Sequence, residues 1–288
     1  MRKKINFKNG IIFNQDCLDA LNRVEDGSVD LIFADPPFNL NKFYNANVND
    51  NLSENEYLEW CYAWLELSVQ KLKNGGSFYL WNIPKWNTHF AAFLNSKLSF
   101  KNWIAVDFKA SMPIKGKLYP AHYSLLYYVK GKKPNSFFPD RKAIETCGNC
   151  YKDLKDYGGY KSKLNSKGIS LSDIWYDIHP VRHSKYKNRS ANELPLKLLD
   201  RIIQTSSQEG DLVLDIFSGS GTAVVACELK NRNWIGIEIG DIQVIKDRLK
   251  NISIEAKLLH AIRKNYNSLF TEDIKALRES MGIWVNDN

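Results

Sequence analysis

The chain has 288 residues, 44% of them hydrophobic and 12% aromatic, and carries a formal net charge of +8. That length and apolar content exclude a disordered chain and suit an α/β enzyme with an inserted lobe. No stretch reads as a membrane span, the basic start MRKKINFKNG lacks the apolar core of an export signal, and five cysteines do not make a disulfide framework, so a reducing cytoplasm is the expected compartment.

In chain order, strands are expected over Gly10 to Asn14 and Val29 to Ala34. The second stops at Asp35-Pro36-Pro37-Phe38. Two prolines fix φ and remove N–H donors, so the segment cannot continue a ladder. Its carbonyls, the Asp35 carboxylate and the Phe38 ring stay available for other partners, although Pro-Pro by itself reads as a stiff turn. Lys42, Phe43 and Tyr44 follow in a loop suited to closing over a site. A helix is expected over Glu54 to Leu72, with Tyr57, Leu58, Cys61, Leu65 and Leu72 on one face, then a buried strand over Ser77 to Asn82. Asn102 to Phe108 and Tyr123 to Val129 read as antiparallel partners. The tryptophans of this half read as core.

From Lys130 to about Asn192 periodicity fades. Between Lys130 and Arg189 there are 14 Lys and Arg against 6 Asp and Glu, a net of +8, which leaves 26 of each sign elsewhere. The whole excess sits in one segment. Clustered positive charge is what a polyanion partner requires, and a solvated basic loop fits the same count. Within HPVRHSKYKNRS, Arg182, Lys185, Lys187 and Arg189 surround Tyr186, a set suited to phosphate contact and base stacking. Cys147 and Cys150 form a CxxC with His179 and His183 downstream. A zinc clip would suit an irregular lobe short of core, but the 28 residues between Cys150 and His179 are long for a small finger and a lone CxxC is a weak signal, so no metal is assigned and the question of zinc stays open.

A helix is expected over Pro195 to Ser206, a strand over Leu212 to Ile216 and another over Trp234 to Ile239, giving a doubly wound, mostly parallel sheet. Between those two strands lies Phe217-Ser218-Gly219-Ser220-Gly221-Thr222, after the acid Asp215. Glycines at a strand-to-helix turn let a ligand approach the backbone, and the helix N-terminus offers free N–H groups. The third glycine of a dinucleotide fingerprint is missing, because Val224 stands there, and no P-loop lysine precedes Thr222. Glu238, at the end of the next strand, suits ribose hydroxyls. Asp241 to Trp284 reads as mostly helical, with a break near NYNSLFTED.

Together, DPPF and FSGSG resemble the S-adenosylmethionine-dependent amino-methyltransferases of DNA, in which a (D/N/S)PP(Y/F/W) motif is catalytic and an F-x-G-x-G loop holds the cofactor. The catalytic motif precedes the loop by about 180 residues, as in the β group, whose target-recognition region lies between them. NQDCLDAL, with Asp16 and Cys17, is similar to the family's adenine-contacting segment. GGSFYLWN and NELPLKLLDRII resemble the strand after the catalytic loop and the helix before the cofactor loop. In AHYSLLYYVKG the acid usual after the histidine is replaced by Tyr123-Ser124, which leaves His122 without an assigned role.

The resemblance implies a Rossmann-like core over 1–130 and 192–252, a recognition insert over 131–191 and a helical segment over 253–288. It also implies S-adenosylmethionine as cofactor, double-stranded DNA as partner and N6 of adenine as acceptor, with N4 of cytosine as the alternative. A protein or small-molecule N-methyltransferase and a non-enzymatic nucleic-acid module are the readings from other classes. A homodimer and a separately encoded cognate restriction enzyme are compatible with all of this. The chemistry agrees with the residue types. An exocyclic amino nitrogen is a poor nucleophile because its lone pair is delocalised, and two acceptors, the Asp35 carboxylate and the Pro36 carbonyl, would aim that lone pair at the methyl group. Phe38 would stack on a base flipped out of the duplex.

Overall fold

The computed structural model describes residues 3–41, 50–107, 115–116, 118–154, 163–179, 181 and 193–285. Nine strands form one sheet in the order β1 (Lys3–Asn6), β2 (Gly10–Asn14), β11 (Asn233–Ile237), β10 (Leu212–Asp215), β3 (Val29–Ala34), β4 (Leu72–Asn82), β6 (His122–Val129), β5 (Ser99–Asp107), β9 (Ile174–Trp175). The five from β2 to β4 are parallel, while β1 and β6 run against their neighbours. The expected pairing of Asn102 with the YSLLYYV strand is present, Asn102 facing Tyr127.

Helices join the parallel strands because their spacing buries one face. α2 (Glu54–Lys71) starts at a capping box: Ser53 Oγ accepts the Glu56 N–H at 3.3 Å, and the Glu56 carboxylate accepts the Ser53 N–H at 3.0 Å. Its Tyr57, Cys61, Trp64 and Leu65 bury against the sheet with Phe78 and Leu80 of β4. α1 (Cys17–Leu21), α3 (Pro84–Asn95), α4 (Leu196–Ser206), α5 (Thr222–Leu229) and α6 (Gln243–Lys250) complete the layers. α3 opens with proline in its first turn, where no N–H is needed.

The chain order makes one place special. From β3 the chain proceeds through α2 to β4 on one side, and from β10 through α5 to β11 on the other. Because β3 and β10 are adjacent, the sheet has its switch point between them, and a crevice opens beyond their carboxyl ends.

The chain divides into two compact units along lines other than the three expected segments. One comprises 1–138 with 173–255, the other 139–172 with 256–288. Much of the anticipated C-terminal segment therefore folds with the middle of the insert. Among the described residues the two stretches jointly bury Ile144, Leu269 and Phe270, with Leu154, Leu164, Ile169 and Ile274 packed around them. In this unit β7 (Arg141–Lys142) pairs with β8 (Ile169–Ser170), Asp140 accepts from Arg263 at 2.9 Å and from Asn267 at 2.8 Å, and α8 (Glu272–Ser280) packs near the end of the chain. The remaining helix, α7 (Ile252–Arg263), runs across the boundary in sequence. No described helix is long and apolar enough to cross a membrane.

Candidate active site

The two motifs separated by about 180 residues meet because their strands are hydrogen-bonded neighbours. Asp215 is in register with Phe33, and the Ile216 N–H donates to the Phe33 carbonyl at 3.2 Å. At this edge a small cleft opens to solvent, lined by Phe33, Asp35, Asp215, Phe217, Ser220 and Thr222 among others.

The Asp-Pro-Pro-Phe segment is held from behind. The Tyr57 hydroxyl of α2 donates to the Pro37 carbonyl at 2.6 Å, and Trp86 Nε1 of α3 donates to the Phe38 carbonyl at 2.7 Å. Two of the three acceptors after Asp35 are thus occupied. The buried Pro36 carries no hydrogen bond to its carbonyl among the described residues. The Phe38 ring is 8% exposed and lies 6.0 Å from Tyr123, which in turn lies 4.9 Å from Trp81. Burial and the nearby Asp35 charge push the Tyr123 phenol up. Tyr123 therefore lies within reach of the Asp35 charge and beside the Phe38 ring.

The glycine loop is built by its neighbours. Gly221 caps α5 at φ 79°, and a Cβ there would come within 3.0 Å of Ile245. Glu238 accepts the Gly219 N–H at 2.6 Å with one carboxylate oxygen and the Gly240 N–H at 2.7 Å with the other. Its first observable task is thus to brace the loop, a role that spacing alone did not suggest. Arg248 of α6, 7% exposed, donates to the Ser220 carbonyl at 3.1 Å and to Thr222 Oγ1 at 2.9 Å. Sequence reasoning missed Arg248, because a basic residue in a helix normally signals a solvated face. Only its burial against the loop gives it away.

Asp16 caps α1, accepting the Leu18 N–H at 2.8 Å, and is exposed, whereas Cys17 is buried, which pushes its thiol up. Both follow β2, whose Asn14 amide donates to the Glu238 and Gly240 carbonyls at 2.8 Å each, so Asp16 and Glu238 emerge on adjacent strands of one sheet edge. Arg182, Lys185, Tyr186, Lys187 and Arg189 lie outside the described residues, as do Lys42, Phe43 and Tyr44.

Asp215 supplies the electrostatic signature. Burial chiefly, with the charges of Asp35 and Glu238, raises its carboxyl to about 7 against the pull of Ser218 and the Phe217 N–H. One of its oxygens, Oδ1, is buried without a hydrogen-bond partner. A buried orphaned acceptor next to a left-handed glycine loop wants a cationic donor. The ammonium of an amino-acid moiety fits it.

Residues 29–246 match the model of a DNA methylase family that joins N6 and N4 enzymes. The chain belongs to this family. Members take their methyl group from S-adenosylmethionine, whose amino-acid part is the kind of group that the Asp215 corner fits. The chain is 52% identical over 279 residues to the type II methyltransferase M.BamHI of Bacillus amyloliquefaciens, a match covering 97% of this chain and 66% of that protein. It is 31% identical over 247 residues to the DNA adenine methyltransferase YhdJ of Escherichia coli, covering 84% and 82% of the two chains. The PvuII DNA methyltransferase structure, described as cytosine-N4-specific, shares the fold with a TM-score of 0.59 at 18% identity, covering 96% of this chain and 93% of that one. The chain thus spans just under two thirds of the M.BamHI protein and most of the other two.

Proposed function

We propose that the protein transfers a methyl group from S-adenosylmethionine to an exocyclic amino nitrogen in double-stranded DNA, with N6 of adenine as the acceptor. The observation that carries this reading is the pairing, at the switch point, of Asp35 and the unbonded Pro36 carbonyl with the Asp215 glycine loop. The cofactor supplies an activated methyl group on a sulfonium.

The chain's own residues do the rest. The Asp35 carboxylate and the Pro36 carbonyl each accept one amino hydrogen, which turns the nitrogen lone pair toward the donor and stabilises positive charge as it develops. Tyr57 and Trp86 keep the neighbouring carbonyls from competing and lock the segment in place. Phe38, backed by Tyr123 and Trp81, forms the aromatic wall against which a flipped base packs. With the cofactor bound, the amino nitrogen would take the methyl group, the cofactor's sulfur would keep the electron pair of the broken S–C bond, and Asp35 or water would take the amino proton afterwards. Asp16 and Glu238 hold the adenosine end, and Arg182, Lys185, Tyr186, Lys187 and Arg189 belong to the DNA interface in this reading. A reducing cytoplasm suits five unpaired cysteines. A homodimer and a separate cognate endonuclease belong to the same proposal.

The adenine assignment rests on the DPPF resemblance and on the adenine named for the YhdJ relative. Digesting DNA treated with the protein and labelled cofactor, and identifying the nucleosides, tests it. N6-methyladenine is expected. N4-methylcytosine alone would move the acceptor to cytosine and keep the amino-transfer chemistry, and no labelled nucleoside would overturn both.

A further inference from the structure

In the smaller unit, a cluster outside the methylation site has the shape of a metal centre. Cys147 Sγ, Cys150 Sγ and a carboxylate oxygen of Asp153 all lie within 4.8 Å of one another, and Cys150 Sγ is 3.6 Å from Asp153 Oδ2. Around one tetrahedral zinc, with Zn–S of about 2.3 Å and Zn–O of about 2.1 Å, the sulfur–sulfur separation is about 3.8 Å and the sulfur–oxygen separation about 3.6 Å. The three donors already stand at that scale.

The backbone holds them there. The Cys147 N–H donates to the Asp153 carbonyl at 3.3 Å, the Tyr151 N–H donates to the Cys147 carbonyl at 2.9 Å, and Tyr151 takes a left-handed φ of 54° that folds the turn back on itself. Both cysteines are unpaired and only partly buried, so an ion can reach them.

We propose that Cys147, Cys150 and Asp153 bind one zinc ion, with water in the fourth position, and that the ion has a structural role. The loop is anchored at its centre: Arg278 of α8 donates to the Tyr151 carbonyl, grips the Trp284 carbonyl at 2.7 Å and lies over the Phe270 ring. A metal closing residues 147–153 therefore fastens α8 and the chain end to a core centred on three buried apolar residues, Ile144, Leu269 and Phe270. Among the described residues Asp153 is the third donor that stands with the two cysteines, and His183 lies outside the described residues.

The full-length protein, purified without chelator, is to be assayed for metal by mass spectrometry. About one zinc per chain is expected, falling at least about tenfold in C147S and C150S and partly in D153N. Cobalt exchanged into wild-type protein gives a thiolate charge-transfer band. Wild-type protein stripped with chelator shows faster amide exchange over 272–285, and zinc restores protection. These last readouts hold even where a variant folds poorly. Metal content at background, with no cobalt band in reduced wild-type protein, overturns the site. Bound zinc retained in both cysteine variants overturns the ligand assignment, and bound zinc whose removal leaves exchange over 272–285 unchanged overturns the structural role.

Discussion

Single side chains at the sheet edge have separable tasks, and their removal leaves separable traces. In the proposed mechanism Asp35→Ala removes one of two acceptors for the amino hydrogens, so turnover falls by roughly 10²- to 10³-fold while cofactor affinity stays within about twofold. Single-turnover kinetics with a binding titration checks it, and full activity in that variant refutes the mechanism. Asp215 behaves differently because its carboxyl titrates near 7 in the folded protein against 3.8 ordinarily. A raised pKa means that the folded state holds the proton more tightly. Its contribution to stability is present below the ordinary value and is lost as pH rises through 7. The cofactor-free protein therefore gains thermal stability, relative to Asp215→Asn, when taken from pH 8 to pH 6. Cofactor affinity moves the opposite way, falling below pH 7 as the proton displaces the cationic partner; calorimetry at both pH values reads this, and identical profiles in the two proteins would sink the assignment. DPPF and FSGSG could be singled out as candidate sites from residue types, and the structure brings them to neighbouring strand ends. The roles of Glu238 and Arg248 as loop braces were not, since bracing depends on which backbone groups a folded carboxylate or guanidinium meets.

At the level of elements, the parallel strands could be read from short apolar runs bounded by Gly, Asp and Asn, and β2 and β3 end where the runs end. β4 starts five residues earlier than expected, at Leu72, because the end of α2 passes straight into it, with no turn residue between them. β9 escaped notice because two residues carry no period, yet it is fastened firmly. Next to it, Asp177 takes a bidentate bond from Arg201 of α4 at 3.1 and 2.6 Å, while Arg201 lies over Trp175. Burial alone would raise the Asp177 carboxyl, but Arg201 and Lys197 overcome it and hold it well below its usual range. Arg201 is wholly buried. Arg201→Met leaves that partly buried carboxylate with Lys197 alone, at 2.9 Å, and costs about 1–3 kcal/mol in denaturant unfolding, whereas the double change with Asp177→Leu recovers most of it. Arg248→Met, by contrast, loosens the Ser220–Thr222 turn and weakens cofactor binding by about tenfold with a smaller stability loss.

For the whole molecule, the charge count placed the entire basic excess between Lys130 and Arg189. If that segment meets phosphates, neutralising several of them makes DNA affinity fall by about 10³-fold or more between 50 and 200 mM salt. A flat response in a filter or anisotropy assay would leave the basic segment without its partner. The division into units was the least legible feature. Residues 139–172 and 256–285 look like a loop and a helical tail when read singly, yet they share the burial of Ile144, Leu269 and Phe270 and are bonded through Asp140 to Arg263 and Asn267. The pairing of β3 with β10 has a further consequence. The proposed reaction centre is assembled by a sheet ladder, so the order in which its halves leave the ribosome is irrelevant to the chemistry. A gene rearrangement that put the glycine-loop half before the Asp-Pro-Pro-Phe half would rebuild the same edge, provided that the two strands still found each other.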